Sequence, residues 1–257
     1  MIDRTILTPY YLDDFLPGLE NLQQADWKLN APTLPEGDRQ ERMATLYEGL
    51  AVLVEETIRN KERPVSIAGD CCTTIGVLAG LQRAGLDPYL IWFDAHGDFN
   101  TWETTPSGFL GGMPLAMLVG LGEQRMPQRV GLRNLPEELV ILTDARDLDP
   151  GEKVLLFGSN VQHLSEVKDV LDFTLPDRPL YVHFDTDVID PVDAPAMNYL
   201  ASGGPRADEL KVVFQHLAKS GQVAAVSLSS WNPDLDEGSR TQNVCMEALI
   251  SLLVIKE

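Results

Sequence analysis

Asp94, His96 and Asp98 stand on alternate residues of the stretch Trp92-Phe93-Asp94-Ala95-His96-Gly97-Asp98-Phe99-Asn100-Thr101. Carboxylates and imidazoles are side chains that hold divalent cations, and an extended segment turns residues two apart to the same side. The apolar run from Tyr89 to Phe93 leads directly into them, so three ligand-type groups converge at the end of a buried strand. Charged groups in such a place are poor core material unless something pairs with them. The pattern recurs downstream, where Tyr181-Val182-His183-Phe184 leads into Asp185-Thr186-Asp187. Two such strand ends, side by side in a parallel sheet, would hold a pair of divalent cations. A cation pair about 3.5–4 Å apart deprotonates water near neutral pH, which is hydrolytic chemistry.

The elements that must position these groups follow from periodicity. Met43, Leu46, Leu50 and Leu53 predict an amphipathic helix over 39–60, behind an irregular, proline-containing segment over 1–38. A short strand is predicted over 65–68, ending at Gly69-Asp70-Cys71-Cys72, with a helix over 73–83. Further strands are predicted over 89–93, 139–142, 154–157, 180–184 and 223–228, and helices over 113–119, around Leu210 to Leu217, and over 241–254. Short apolar strands alternating with helices predict one α/β domain over 1–257, a three-layer α/β/α sandwich on a mostly parallel sheet. Ligands of such sheets sit at the carboxyl ends of the strands, where all the chemistry-bearing residues fall.

Composition narrows the function. The 257 residues carry a formal charge of −19, which repels phosphate backbones and argues against a nucleic-acid partner. No apolar run is long enough to span a bilayer, and the first residues lack the order of a secretion signal. Cys71, Cys72 and Cys245 are odd in number and suggest no disulfide framework, so a reduced, cytoplasmic protein is expected. Neither acidic motif contains a Lys or Arg to anchor phosphate, which counts against phosphoryl transfer.

Asp-Ala-His-Gly-Asp-Phe-Asn at 94–100, together with Asp-Thr-Asp-Val-Ile-Asp-Pro at 185–191, resembles the arginase/ureohydrolase superfamily from about residue 64 onward. The resemblance implies two manganese ions bridged by a hydroxide that attacks the central carbon of a guanidinium or amidine. It implies Asp94, Asp98 and Asp185 as bridging or near-bridging ligands, His96 and Asp187 as ligands to one ion, and Asp98 as the carboxylate orienting the nucleophile. Asn100, Thr105 and Ser107 fall where arginases hold the substrate α-carboxylate, and their neutral donors suit that task. Trimers or hexamers are implied as well.

Three positions depart from the family pattern. The Gly-Gly-Asp-His motif reads Ala68-Gly69-Asp70-Cys71, so the expected histidine ligand is Cys71, whose thiolate suits zinc better than manganese. Cys71 is therefore either a ligand, with one ion loosely held, or a small buried side chain. Gly111 stands where arginases offer a proton-shuttling histidine, and Ser230 stands where a glutamate pairs with the substrate guanidinium. The first two departures resemble the branch that hydrolyses N-hydroxyarginine, whose product leaves more readily without a proton shuttle. The third departure does not fit even that branch: loss of the glutamate would cost about 2–5 kcal/mol of binding unless Asp234 or Asp236 reaches in, and otherwise the substrate is not a cationic guanidine or catalysis is lost. Asp190, before Pro191, reads as a turn former, and Cys72 and Cys245 as core. His183 shares a strand face with Asp185 and reads as a satisfied histidine, either behind the ligands or in the core, His163 and His216 read as uninvolved, and Trp231 as pocket wall or packing. The expected activity is metal-dependent hydrolysis of a linear carbon–nitrogen bond in a guanidino or amidino amino acid. The rival reading is a non-catalytic member of the same fold, holding one ion or none and serving as a binding or oligomer-forming subunit.

Overall fold

β-Branched and aromatic residues dominate the apolar runs at 65–68, 89–93, 180–184 and 223–228, and all four become neighbouring strands buried on both faces. The computed structural model describes residues 1–254. In chain order the elements are β1 (Ile2–Thr8), β2 (Tyr10–Tyr11), β3 (Asp14–Phe15), α1 (Pro17–Glu20), β4 (Lys28–Leu29), α2 (Arg39–Arg59), β5 (Glu62–Ala68), α3 (Thr74–Arg83) and β6 (Tyr89–His96). There follow α4 (Pro114–Leu118), α5 (Arg125–Arg129), β7 (Val140–Asp147), α6 (Pro150–Phe157), β8 (Gln162–Leu164), β9 (Leu180–Asp185), α7 (Ala207–Lys219), β10 (Val223–Ser229) and α8 (Arg240–Leu253).

Eight strands form one parallel sheet in the order β4-β1-β5-β10-β9-β6-β7-β8, and β2 and β3 form a small antiparallel hairpin beside it. Alternate residues of each strand feed two cores. Leu90, Trp92, Tyr181 and Ala225 pack on the side of α2 and α3. Ile91, Phe93, Val182 and Phe184 pack on the side of α7 and α8, where Phe93 and Phe184 each meet the Phe214 ring edge-on at 5.1 Å. The three-layer α/β/α expectation therefore holds. The chain leaves β5 and re-enters the sheet at β6, and only later do β9 and β10 fill the space between. Loops diverge at that reversal, which opens a crevice at the carboxyl ends of the strands.

Two expectations fail. The first 38 residues are not irregular throughout: β1 pairs with β5 along its whole length, from Ile2 beside Glu62 to Thr8 beside Ala68. Its first half is polar, and it is held by cross-strand ion pairs, Arg4 with Glu62 at 2.8 Å and Arg63 with Asp3 at 2.6 Å, rather than by an apolar pattern. Residues 154–157 are not a strand but the last turn of α6. Pro150 opens that helix, and the backbone N–H of Asp149 donates to Glu152 Oε2 at 3.1 Å, a cap that outranks the short apolar run. Val154 and Phe157 are exposed on it, and the next strand is β8.

Candidate metal centre

The crevice gathers the acidic strand ends. Asp94 Oδ1 accepts the His96 backbone N–H at 2.7 Å, and its Oδ2 accepts Trp92 Nε1 at 2.9 Å. Asp187 Oδ1 accepts the Ala95 N–H at 3.2 Å, while its Oδ2 lies 3.0 Å from His96 Nδ1. Asp185 Oδ1 accepts the Asp187 N–H at 3.0 Å. Asp185 Oδ2 accepts Cys71 Sγ at 2.9 Å, Ser229 Oγ at 3.3 Å and the Ser230 hydroxyl. Asp98 joins them differently from the expected pleat. β6 ends at His96, and Asp98 takes a left-handed φ of 49°, so a turn and not a continued strand brings its carboxylate in. Asp98 Oδ2 is buried with no hydrogen-bond partner among the described residues. Gly97 permits this turn: a Cβ there would lie 2.5 Å from both Glu152 Oε1 and Leu148 Cδ2.

The four carboxylates are at most 5% exposed, and their electrostatics are those of crowded like charges. Burial, then Asp94 and Asp185, hold the Asp98 carboxyl well above its ordinary range. Burial, then Asp187 and Asp94, do the same to Asp185. Burial and Asp94 push Asp187 up to about 6 against the pull of His96. Burial also opposes the charge on Asp94, but bonds from His96 overcome it and keep that carboxyl below its usual value. For His96 burial disfavours the proton, yet Asp187 and Asp94 outweigh it and raise the imidazole to about 12. Burial, then Asp185, Asp98 and Asp94, lift the Cys71 thiol far above normal. One imidazolium thus faces four carboxylates, an imbalance that divalent cations would neutralise.

Among the described residues two groups have ligand atoms mutually within 4.8 Å: Asp94, His96 and Asp187, and Cys71, Asp94, His183 and Asp185. Asp94 belongs to both, as a carboxylate bridging two ions must. The donor set, together with the orphaned Asp98 oxygen, fits a pair of cations. His183 was expected to be satisfied; its Nδ1 does meet Ser227 Oγ at 2.8 Å, but its Nε2 is buried without a partner.

A cavity of about 180 Å³ leads to this cluster. Asn100, Thr105 and Ser107 all line it. Asn100 is fixed from both ends of its amide, donating to Asp149 Oδ2 at 2.9 Å and accepting from Thr104 Oγ1 at 2.9 Å. Thr105 Oγ1 and Ser107 Oγ lie 3.3 Å apart nearer the rim. Three acids on the wall were missed in the sequence: Asp147, Asp149 and Glu152. Asp147 and Asp149 repeat, after β7, the alternation of acids at a strand end that flagged the other two motifs. Arg146 was missed too. Its guanidinium pairs with Asp144 and donates to the carbonyls of Asp187 at 3.0 Å, Val188 at 3.1 Å and Ala201 at 3.1 Å, clamping the loop that carries Asp187.

The substituted positions have physical settings of their own. The Phe109 ring covers Gly111, where a Cβ would lie 2.4 Å from ring atoms. Ser230, at φ 74°, turns its hydroxyl onto Asp185. Neither Asp234 nor Asp236 compensates for the missing glutamate. Asp236 Oδ2 accepts from Trp231 Nε1 at 3.0 Å and Gln242 N at 2.7 Å, its Oδ1 accepts from Thr241 N at 2.9 Å, and neither acid lines the cavity. Trp231 is buried packing, and Asp190 accepts the Val192 N–H at 2.9 Å in a turn, as expected. His163 is bound to the Asp144 carbonyl at 2.9 Å outside the cavity.

The model of the Arginase family matches residues 18–254. The chain belongs to the arginase family. It is 34% identical to the arginase of Bacillus caldovelox over 224 residues, 82% of this chain and 75% of that one. It is 32% identical to the arginase of Bacillus subtilis over 218 residues, 80% of this chain and 74% of that one. The crystal structure of the Bacillus subtilis arginase superposes with a TM-score of 0.85 at 28% identity, covering 100% of this chain and 99% of the other. The parallel sheet with its acidic crevice is thus an arginase-family hydrolase fold carrying a candidate metal-binding cluster. Among the described residues no helix is long and apolar enough to cross a membrane.

Proposed function

We propose that this arginase-family protein hydrolyses a linear carbon–nitrogen bond of a guanidino amino acid, with an N-hydroxyguanidino acid such as N-hydroxyarginine as the best-fitting substrate. The observation that carries the reading is the convergence of Asp94, Asp98, Asp185 and Asp187 with His96 on one crevice, with Asp98 Oδ2 buried and unpartnered. Asp94, Asp185 and Asp187, with His96, Asp98 and Cys71, would hold two divalent cations, manganese in the His96 group and manganese or zinc beside Cys71. When bound, a cation pair supplies a deprotonated water and polarises the substrate. Asp98 orients the attacking water and takes its proton. Asn100, Thr105 and Ser107 receive the substrate carboxylate through neutral donors. Asp147 and Asp149, on the same wall, complement the α-ammonium.

Ser230 departs even from the N-hydroxyarginine branch, and a weakly basic substrate reconciles it with turnover. An N-hydroxyl withdraws electrons and lowers guanidine basicity, so the substrate needs no buried carboxylate opposite it. The leaving group is better as well, which agrees with Gly111 in place of a proton shuttle. The active species is proposed to be a cytoplasmic homo-oligomer, a trimer or hexamer, measurable by sedimentation. A panel of guanidino and N-hydroxyguanidino acids, assayed with manganese for urea and hydroxyurea, tests the proposal. Hydroxyurea release that Asp98→Ala abolishes is expected. Full activity in Asp98→Ala refutes the mechanism, and no turnover of any acid by a metal-loaded protein favours the non-catalytic alternative.

A further inference from the structure

We propose that His183 is a metal ligand, completing with Cys71, Asp94 and Asp185 a four-donor site that prefers zinc or cobalt over manganese. This rests on the cation-pair reading above and adds a ligand to it. His183 sits on β9 two residues before Asp185 and on the same face, one pleat below the carboxylates. Its register partners are Ser227 on one side and Trp92 on the other. Both lock the ring. Ser227 Oγ takes Nδ1 at 2.8 Å and is itself 2.8 Å from the Tyr181 hydroxyl. The Trp92 ring lies against the imidazole with centroids 3.9 Å apart, and its Nε1 holds Asp94. Nε2 is left fully buried with no partner, and a ring nitrogen of His183 lies within 4.8 Å of ligand atoms from Cys71, Asp94 and Asp185.

A core histidine would leave a buried polar atom unsatisfied at this point, which folded proteins avoid. A ligand would not. In the tautomer with Nδ1–H donating to Ser227 the Nε2 lone pair is free, and an acceptor on the far nitrogen is how ligating histidines are oriented. The donor set is then one sulfur, one nitrogen and two oxygens. Thiolate and imidazole together select zinc or cobalt, whereas the group of Asp94, His96 and Asp187 offers only nitrogen and oxygen and suits manganese. The imidazole missing from position 71 is thereby returned to the cluster from the neighbouring strand.

The test uses the full chain, stripped with chelator and reloaded with zinc alone or cobalt(II) alone, then desalted for metal analysis. Wild type retains two ions per chain, and its cobalt spectrum carries a sulfur charge-transfer band. His183→Ala retains one ion and loses that band, while Ser227→Ala binds the affected ion roughly 10–100-fold more weakly. Urea midpoints without metal check that the variants fold. Should His183→Ala not fold, histidine ¹⁵N NMR of wild type decides: Nε2 of His183 must shift on zinc addition. Two ions bound by His183→Ala with unchanged affinity and spectrum, or an unmoved Nε2 signal, overturns the ligand assignment while leaving the cation pair standing. No ion bound by wild type overturns both.

Discussion

Glu152 offers a quantitative test of how the acidic crevice is built. Its carboxylate is 3% exposed beneath the loop that carries Asp98 and Asn100. Oε1 accepts the Phe99 N–H at 2.8 Å and Oε2 accepts the Asp149 N–H at 3.1 Å. Burial is the largest influence on it. The two N–H donors oppose burial, Asp149 and Asp94 reinforce it, and the carboxyl rises from 4.5 to about 7. The folded chain therefore holds a proton that the unfolded chain has released. The resulting stability is fully present below pH 4.5 and is lost as the pH rises through about 7. The size of the effect is about 3 kcal/mol. Glu152→Gln keeps an acceptor but cannot titrate, and any fixed cost of the swap is independent of pH. Thermal unfolding of both proteins in chelator, from about pH 5 to 8, isolates the term. The variant should gain on wild type by about 2.5 kcal/mol across that range, a shift in the Tm difference of roughly 5–10 °C. Parallel curves would refute the claim that Glu152 is ionised at a cost above neutral pH.

Other perturbations have equally definite outcomes. Manganese at a hundredfold excess over Kd should stabilise wild type by about 2.7 kcal/mol per site. Asp98→Asn should abolish part of that rise yet raise the metal-free Tm, because it removes one of several buried, mutually repelling carboxylates; calorimetry with and without metal reads both. Gly97→Ala should cost roughly 1–3 kcal/mol in urea unfolding and weaken manganese binding in titration calorimetry, since Glu152 is pinned by two N–H groups and cannot yield to the new methyl. Arg146→Met strands buried Asp144 and releases the loop of Asp187, so a loss of roughly 3 kcal/mol is expected by the same unfolding assay.

Much of the site was legible because its signal is local. Asp94 follows an unbroken apolar run and Asp185 one interrupted only by His183, and burial on both faces of a parallel sheet leaves few other readings for such runs. Strand β1 was not legible, because Arg4 and Asp3 hold it through ion pairs to residues some sixty positions away. Residues 154–157 misled because four apolar residues suit a strand or a helix end alike, and the deciding cap lies upstream at Asp149 and Glu152. Asp98 lines the crevice for a reason other than strand alternation, since its turn depends on Gly97 and on the side chains beneath it. The reach of Asp234 and Asp236, the clamp of Arg146 and the free nitrogen of His183 are matters of tertiary direction, which spacing along the chain does not encode.

The central claim is that carboxylates from neighbouring strands grip two cations. Anomalous diffraction at the manganese edge, from crystals grown with excess manganese, tests it most directly. Two peaks about 3.5–4 Å apart, bounded by Asp94, Asp98, Asp185 and Asp187, are predicted. A map with no peak in the crevice, with Asp98 Oδ2 still unpartnered, would contradict it.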